Sequence, residues 1–321
     1  MNKEVIVVGS YVQDLSFRTQ QFPSPGETRI GIFKTGQGGK GFNQAVACSR
    51  QGVETGFIGA IGNDAFGKEV QEFVSEEEFL KPFFYHDQNN PTGAAAIIVN
   101  EKGQNLITVA LGANDHLPPS FIESLKDEVG NSSILLCQLE SNLDSTAEAL
   151  LIASGKSLIR ILNPAPINQS FDPDLLQYVN VITPNESEFL YLVKRMGYSS
   201  EYTTQTLIEE AINYPSRVHE LCNEIPVDTT VITLGDMGCF VSHRNKSEKG
   251  YYHSPAKAVT TVDTTGAGDA FSGGLAAGLI KNNYDFEKAI KYATAVAALS
   301  TTKQGTAPSM PTAYEVNNFL K

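Results

Sequence analysis

A single α/β domain, with helices covering a mostly parallel sheet and a small β insertion standing apart, is the fold that three features of this 321-residue sequence predict. Short apolar runs ending near glycines alternate with segments of helical spacing, an antiparallel hairpin interrupts that rhythm, and neither a repeat nor a Pro/Ser/Gly linker divides the chain. Val5 to Val8 runs into Gly9-Ser10 and reads as the buried strand that opens the sheet. Gly31 to Thr35 and the glycine cluster after it read as loop. Phe42 to Arg50, with Ala45, Val46 and Cys48 at near-helical spacing, reads as a helix stopped by Gly52. Phe57 to Ile61 is the next strand, followed by Gly62-Asn63-Asp64 and a helix from Gly67 to about Glu77. Gly93 to Val99 and Asn105 to Leu111 flank Asn100-Glu101-Lys102-Gly103 and make the hairpin. Strand-like runs at Ile134 to Leu139, Leu158 to Leu162, Val179 to Thr183, Val231 to Leu234 and Cys239 to Ser242 then alternate with helices such as Ser145 to Ser154 and Glu186 to Met196. Ala270 to Ile280, Phe286 to Ser300 and Ala313 to Phe319 complete the chain as helices.

Composition narrows the function. With 41% hydrophobic and 19% charged residues the chain is an ordinary globular one, and its net charge of -12 argues against duplex nucleic acid or an anionic membrane as a general partner. The apolar runs fall well short of the roughly 20 residues that a spanning helix needs. Met1-Asn2-Lys3-Glu4 lacks the layout of a signal peptide, so a cytoplasmic location is expected. Cys48, Cys137, Cys222 and Cys239 are scattered and read as buried, inert thiols. The histidines show no zinc-site spacing, and no G-x-S-x-G elbow is present.

The chemistry concentrates in glycine turns at helix starts. Val262-Asp263-Thr264-Thr265-Gly266-Ala267-Gly268-Asp269 lies between the β-branched run Val259 to Val262 and an Ala/Gly-rich helix, and reads as strand, glycine turn and helix start. Backbone N–H groups converging at Gly266, Ala267 and Gly268 suit a phosphoryl anion, and Asp269 in the first turn suits a base that accepts a hydroxyl proton. The same pattern also describes a plain helix start with a dipole-favoured acid. Gly36-Gln37-Gly38-Gly39-Lys40-Gly41 matches G-x-G-x-x-G. It lies too far from the first strand for a dinucleotide site, and Gly41 stands where a nucleoside-triphosphate P-loop needs Ser or Thr. Lys40 and Asn43 could instead present a cation and an amide to a polyhydroxylated substrate, the glycines permitting close approach, or the segment could be a structural turn. Asp14 and Glu140 sit beyond strand ends, where open α/β sheets place ligands, though either could simply be solvated. Asn185 and Glu188 read equally as a helix capping box and as neighbours of phosphate and hydrated Mg²⁺. Thr233-Leu234-Gly235-Asp236-Met237-Gly238 could border a nucleotide or form a hairpin turn.

Taken together, Gly38-Gly39-Lys40-Gly41-x-Asn43-Gln44-Ala45, Asn185-x-x-Glu188 and Asp263-Thr264-Thr265-Gly266-Ala267-Gly268-Asp269 resemble the signatures of the ribokinase-like (PfkB-type) carbohydrate kinases. Phe22-Pro23-x-Pro25-Gly26-Glu27-Thr28, Gln138-Leu139-Glu140, Leu162-Asn163-Pro164-Ala165-Pro166 and Pro308-Ser309 extend the resemblance over nearly the whole chain, with the ribose-specific branch nearest. The resemblance implies one domain over 1–321, a three-layer α/β/α sandwich with a β lid drawn from about 11–36 and 92–112, and a possible homodimer through the lids. It implies transfer of the ATP γ-phosphoryl group to a sugar's primary hydroxyl, D-ribose first and another sugar or nucleoside next. A non-catalytic sugar- or nucleotide-binding relative is the alternative from another class. Asp269 would be the base, and Gly266, Ala267 and Gly268 the anion hole. Asp14, Gly39, Lys40, Asn43 and Glu140 would hold the sugar. Asn185, Thr233, Gly235, Gly238 and Gly268 would meet ATP, with Glu188 acting through water on Mg²⁺. Asp263, Thr265, Ser300, Lys303, Gly305 and Ser309 match the positions that hold an activating K⁺, several through backbone carbonyls. Two residues depart from the family pattern: Val12 replaces the usual Asn, and Phe42 a small residue.

Overall fold

A computed structural model describes residues 4–167, 169–198, 201–244 and 250–321, so Met1, Asn2 and Lys3 lie outside it. The chain runs β1 (Val5–Val8), β2 (Val12–Arg18), β3 (Ile32–Gly38), α1 (Lys40–Ser49), β4 (Thr55–Gly62), α2 (Ala65–Ser75), β5 (Leu80–Asp87), β6 (Gly93–Val99) and β7 (Asn105–Ala110). It continues through α3 (Pro119–Ser124), α4 (Lys126–Gly130), β8 (Ile134–Cys137), α5 (Leu143–Ser154), β9 (Ile159–Leu162), β10 (Val181–Ile182), α6 (Glu186–Arg195), α7 (Thr204–Asn213) and α8 (Pro215–Asn223). The last elements are β11 (Thr229–Thr233), β12 (Cys239–His243), β13 (Tyr251–Ser254), α9 (Ala267–Lys281), α10 (Phe286–Ser300) and α11 (Ala313–Leu320).

The main sheet has the order β13-β12-β11-β10-β9-β8-β1-β4-β5, parallel except where β12 runs against both of its neighbours. Its central strands are apolar on both faces because helices cover both. Val5 and Val7 face the layer of α1, α9 and α10, whereas Ile6 and Val8 face the layer of α5 and α6. Phe42, on α1, is fully buried among Tyr11, Phe57 and Phe73 at ring separations of 5.2, 5.3 and 5.7 Å. Burying a ring of that size stabilises the fold by about 2–3 kcal/mol.

A second sheet, β3-β2-β6-β7, stands apart as a lid, and β2 is paired along its whole length on both sides. At the root of the lid, Asn114 accepts from Tyr11 N–H (3.0 Å) and donates to the carbonyls of Tyr11 (2.7 Å) and Leu111 (2.8 Å). It thereby ties the outgoing strand to the returning one. A Cβ on Gly93 would meet the same amide at 2.5 Å, so the third crossing packs there too.

The expected parallel sheet, helical cover and separate small sheet are present. Two local expectations are corrected. The stretch from Ile32 to Gly38, read as loop, is strand β3, where pairing to β2 supplies what its glycines lack in intrinsic strand preference. Val259 to Val262, read as strand, is irregular: the N–H groups of Val262 and Asp263 both bond the carbonyl of Thr301, so the backbone is held by a helix end rather than a ladder.

Candidate active site

Strand order reverses beside β1, and the carboxyl ends of β1, β8, β9, β10 and β11 open on one side of the sheet below the lid. That is where a parallel sheet leaves a crevice. After β1, Ser10 donates to Glu140 Oε2 at 2.6 Å, and Lys40 N–H reaches the same oxygen at 2.8 Å. The start of α1 is thus fixed to the end of β8 through one nearly buried carboxylate.

Asp269, 7% exposed in the first turn of α9, is the centre of the site. Its Oδ2 accepts from Asn43 Nδ2 at 2.9 Å and its Oδ1 from Gln44 Nε2 at 3.0 Å. Asn43 Oδ1 is buried without a hydrogen-bond partner among the described residues, so it is ready to accept from a ligand. A cavity of about 180 Å³ is lined by Lys40, Asn163, Ala165, Thr183, Asn185, Glu188, Thr233, Thr264 and the Gly266-Ala267-Gly268-Asp269 turn. A Cβ on Gly268 would meet nothing within 4 Å, which leaves the helix start open to an anion. Burial pulls the Lys40 ammonium down, but the carboxylates of Asp269, Glu140 and Glu188 outweigh it and hold its pKa above the ordinary value. Burial raises that of Glu188, in spite of the bond from Asn185 N–H and the nearby Lys40 charge.

Asn185 caps α6, accepting from Glu188 N–H at 2.9 Å while Glu188 Oε2 accepts from Asn185 N–H at 2.9 Å. The capping box and the cavity wall are therefore the same two residues. Gly235 and Gly238 lie outside this cavity's lining and close the β11–β12 turn, with Leu234 N–H on the Gly238 carbonyl at 2.8 Å. Thr233 does line it.

A larger cavity of about 390 Å³ lies under the lid, lined by Asp14, Ser16, Arg18, Lys34 and Ile97 on one side and by Asp263, Thr264, Gly305 and Thr306 on the other. Burial, opposed by a hydrogen bond from Thr306 and aided by the negative charges of Glu140, Asp269 and Asp263, pushes the Asp14 carboxyl up to about 6. Thr306 Oγ1 lies 2.8 Å from Asp14 Oδ2. Asp263 accepts from Thr265 N–H (3.0 Å), the Thr265 hydroxyl (2.7 Å) and Gly305 N–H (3.2 Å), and the Ser309 hydroxyl donates to the Gly305 carbonyl at 2.8 Å. The Ser300 hydroxyl donates to Ala297 and the Lys303 ammonium to Glu315, so these two side chains are engaged elsewhere. Among the described residues no group of three or more His, Cys, Asp or Glu side chains is placed to hold a metal. Phe42 belongs to the core, and neither it nor Val12 lines either cavity. Gln44, Asn163 and Thr306 were not expected in the site. The first could have been suspected from its place beside Asn43 on one helical turn and the second from the Leu162-Asn163-Pro164-Ala165-Pro166 stretch, whereas Thr306 has no local signal.

Fold and site together define a phosphotransferase with an alcohol as acceptor, and a family model described as pfkB family carbohydrate kinase matches residues 2–313. The chain belongs to that family. It is 35% identical to the ribokinase of Haemophilus influenzae over 324 aligned residues, covering 100% of this chain and 99% of that protein. It is 33% identical to the ribokinase of Mus musculus, covering 96% of this chain and 91% of that one. The solved ribokinase of Thermotoga maritima superposes with a TM-score of 0.84 at 32% identity, covering 98% of each chain. That of Arabidopsis thaliana, complexed with ribose and ATP, gives 0.84 at 26% identity, covering 100% of this chain and 99% of that one. No helix among the described residues is long and apolar enough to cross a membrane.

Proposed function

We propose that this carbohydrate kinase transfers the γ-phosphoryl group of ATP to the primary hydroxyl of D-ribose, giving D-ribose 5-phosphate. The observation that carries the reading is the Asp269 carboxylate, fixed by two amides at the open start of α9 and facing a cavity that also holds Lys40. The sugar lies between Asp14, under the lid, and Asp269, with Gly39, Lys40, Asn43 and Glu140 around its other hydroxyls. Asp269 orients the attacking hydroxyl and takes its proton as the new O–P bond forms and the bond to the ADP oxygen breaks. Backbone N–H groups of Gly266, Ala267 and Gly268 face the charge on the transferring group. Asn185, Thr233, Gly235 and Gly238 border the nucleotide.

A hydrated Mg²⁺ fits this donor set, since it keeps several waters and needs few protein carboxylates; it would neutralise phosphate charge. Glu188, one oxygen of which serves the capping box, would meet a water of that ion with the other. The loop joined by Asp263, Thr265, Gly305 and Ser309 suits a monovalent cation bound largely through main-chain oxygens, and Ser300 and Lys303 would contribute only their carbonyls. Turnover is expected to be higher in K⁺ than in Na⁺ at matched ionic strength, and equal rates would remove that ion from the reading.

The raised pKa of Asp14 has a defined sign. Ionised, Asp14 accepts two sugar hydroxyls; protonated, it loses acceptor capacity. The sugar KM is therefore expected to climb as pH falls through about 6, by up to roughly tenfold per unit, while the KM for ATP changes less. The inflection should vanish in Asp14→Asn. If it persists there, another group is responsible.

A coupled ATPase measurement over pentoses, hexoses and nucleosides tests the whole reading. D-Ribose should have the highest kcat/KM. 2-Deoxyribose belongs in the panel, because a relative of 28% identity from Salmonella typhimurium is named deoxyribokinase. A higher kcat/KM for any other member would reassign the substrate.

A further inference from the structure

The base is held by an amide chain whose direction is set from outside the cavity. Asn163 Nδ2 donates to the main-chain carbonyl of Thr183 at 2.8 Å, a group that can only accept. Asn163 Oδ1 must therefore accept, and does so from Gln44 Nε2 at 3.1 Å. The same nitrogen gives its other hydrogen to Asp269 Oδ1 at 3.0 Å. Gln44 Oε1, left facing away, accepts from Gln138 Nε2 at 2.6 Å. Gln44 and Gln138 are fully buried, and Asn163 is 6% exposed. If Gln44 were flipped, its oxygen would lie against a carboxylate and against Asn163 Oδ1, two unfavourable contacts in a dry site.

The approach of α9 to α1 that makes this possible depends on Gly273, where a Cβ would sit 2.3 Å from the Gln44 carbonyl and 2.8 Å from Ala47 Cβ. Asn43 lines neither cavity, yet its Oδ1 is buried without a partner among the described residues and is free to accept from a ligand. Gln44 is absent from the lining of either cavity, and its described contacts are with the base and the two amides.

We propose that Gln44 is the positioning residue of the base, fixing the plane of the Asp269 carboxylate so that Oδ2 faces the attacking hydroxyl, and that Asn163 and Gln138 fix the orientation of Gln44. This rests on Asp269 being the base. The inference concerns orientation, so its mark is a loss in kcat without a loss in binding.

Gln44→Leu keeps the side-chain volume and removes the donor. It is expected to lower kcat by about 10²-fold, the scale of a misplaced reacting group, with the KM for sugar and for ATP unchanged. In an Asp269→Asn background the same substitution should cost nothing further, because no base remains to be oriented. Wild-type kcat in Gln44→Leu, or an equal further loss in the Asp269→Asn background, would overturn the inference; the second result would mark Gln44 as a packing residue only. Should Gln44→Leu not fold, Gln138→Leu carries the test. It leaves the bond to Asp269 but takes from Gln44 Oε1 its donor, so the amide is held less firmly, and a loss of kcat of roughly tenfold that disappears in Asp269→Asn is expected, with an unchanged kcat counting against the chain. Failure of the parent reading looks different: Asp269→Asn alone would then turn over normally.

Discussion

Asp269→Asn is expected to lower kcat by about 10²–10⁴-fold, the usual worth of a positioned general base, and to leave ATP binding nearly intact. The backbone cradle of Gly266 to Gly268 does not depend on that side chain, so the affinity for a non-hydrolysable ATP analogue, measured by calorimetry, should barely move. The exchange has a structural cost of its own. Both carboxylate oxygens accept from amides, at 2.9 and 3.0 Å, so an Asn places its NH₂ against one of those donors. About 1–3 kcal/mol of stability should go with it, visible in denaturant unfolding. Near-normal turnover on the preferred sugar would exclude Asp269 as the base.

Gly41→Ala is the second large effect, and it acts through the backbone. A Cβ at that position would lie 2.7 Å from the Cα and carbonyl carbon of Gly9 and from the nitrogen of Ser10, atoms of the central strand's end that cannot give way. The first turn of α1 would be pushed off β1, and with it the bond from Lys40 N–H to Glu140 and the placement of Asn43 and Gln44. We expect a loss of about 3 kcal/mol or more in unfolding free energy together with a fall in kcat/KM. Gly36→Ala is the control, because a Cβ there meets nothing within 4 Å. Its stability should stay within about 0.5 kcal/mol of the parent. Equal stability of the two variants would show that α1 is not seated as described.

Much of this arrangement is legible in the sequence, for physical reasons that can be named. Strands β1 and β8 announce themselves because both faces are buried and every residue is apolar. The start of α9 is visible because glycines and an acid stand at close spacing ahead of an Ala/Gly-rich run. Strand β5 was not anticipated: it is an edge strand with Lys81 and Pro82 and half-buried aromatics, without clean alternation. Helices α7 and α8 went unread as well; each buries only two residues, so their periodic signal is thin. Val259 to Val262 misled in the other direction, since β-branched residues favour strands only where a partner strand is free, and here the partner is the end of α10. The bond from Thr306 to Asp14 joins residues 292 positions apart, and no local pattern could have shown it. The amides around Asp269 fall between these cases, with Asn43 readable from its place in a glycine turn and Asn163 visible in the Leu162-Asn163-Pro164 stretch but given its contacts only by what folds next to it.

The root of the lid has a mechanical consequence. Strand β2 is bonded on both flanks along seven residues, so the small sheet resists bending within itself. Three of its four crossings into the main body, at Tyr11, Gly93 and Leu111, converge on the amide of Asn114, which is fully buried, and the fourth, at Gly39, packs against the Tyr11–Val12 peptide. A stiff plate gathered at one short line moves most easily by swinging about it, once the bonds from Thr306 to Asp14 and to the Gln37 carbonyl and from Gln13 to Glu69 yield. Asp14 stands two residues beyond the start of that plate and Arg18 near its far edge. A small rotation thus displaces Arg18 far more than Asp14, and the jaw can open for a sugar while the carboxylate beside that line stays close to its place.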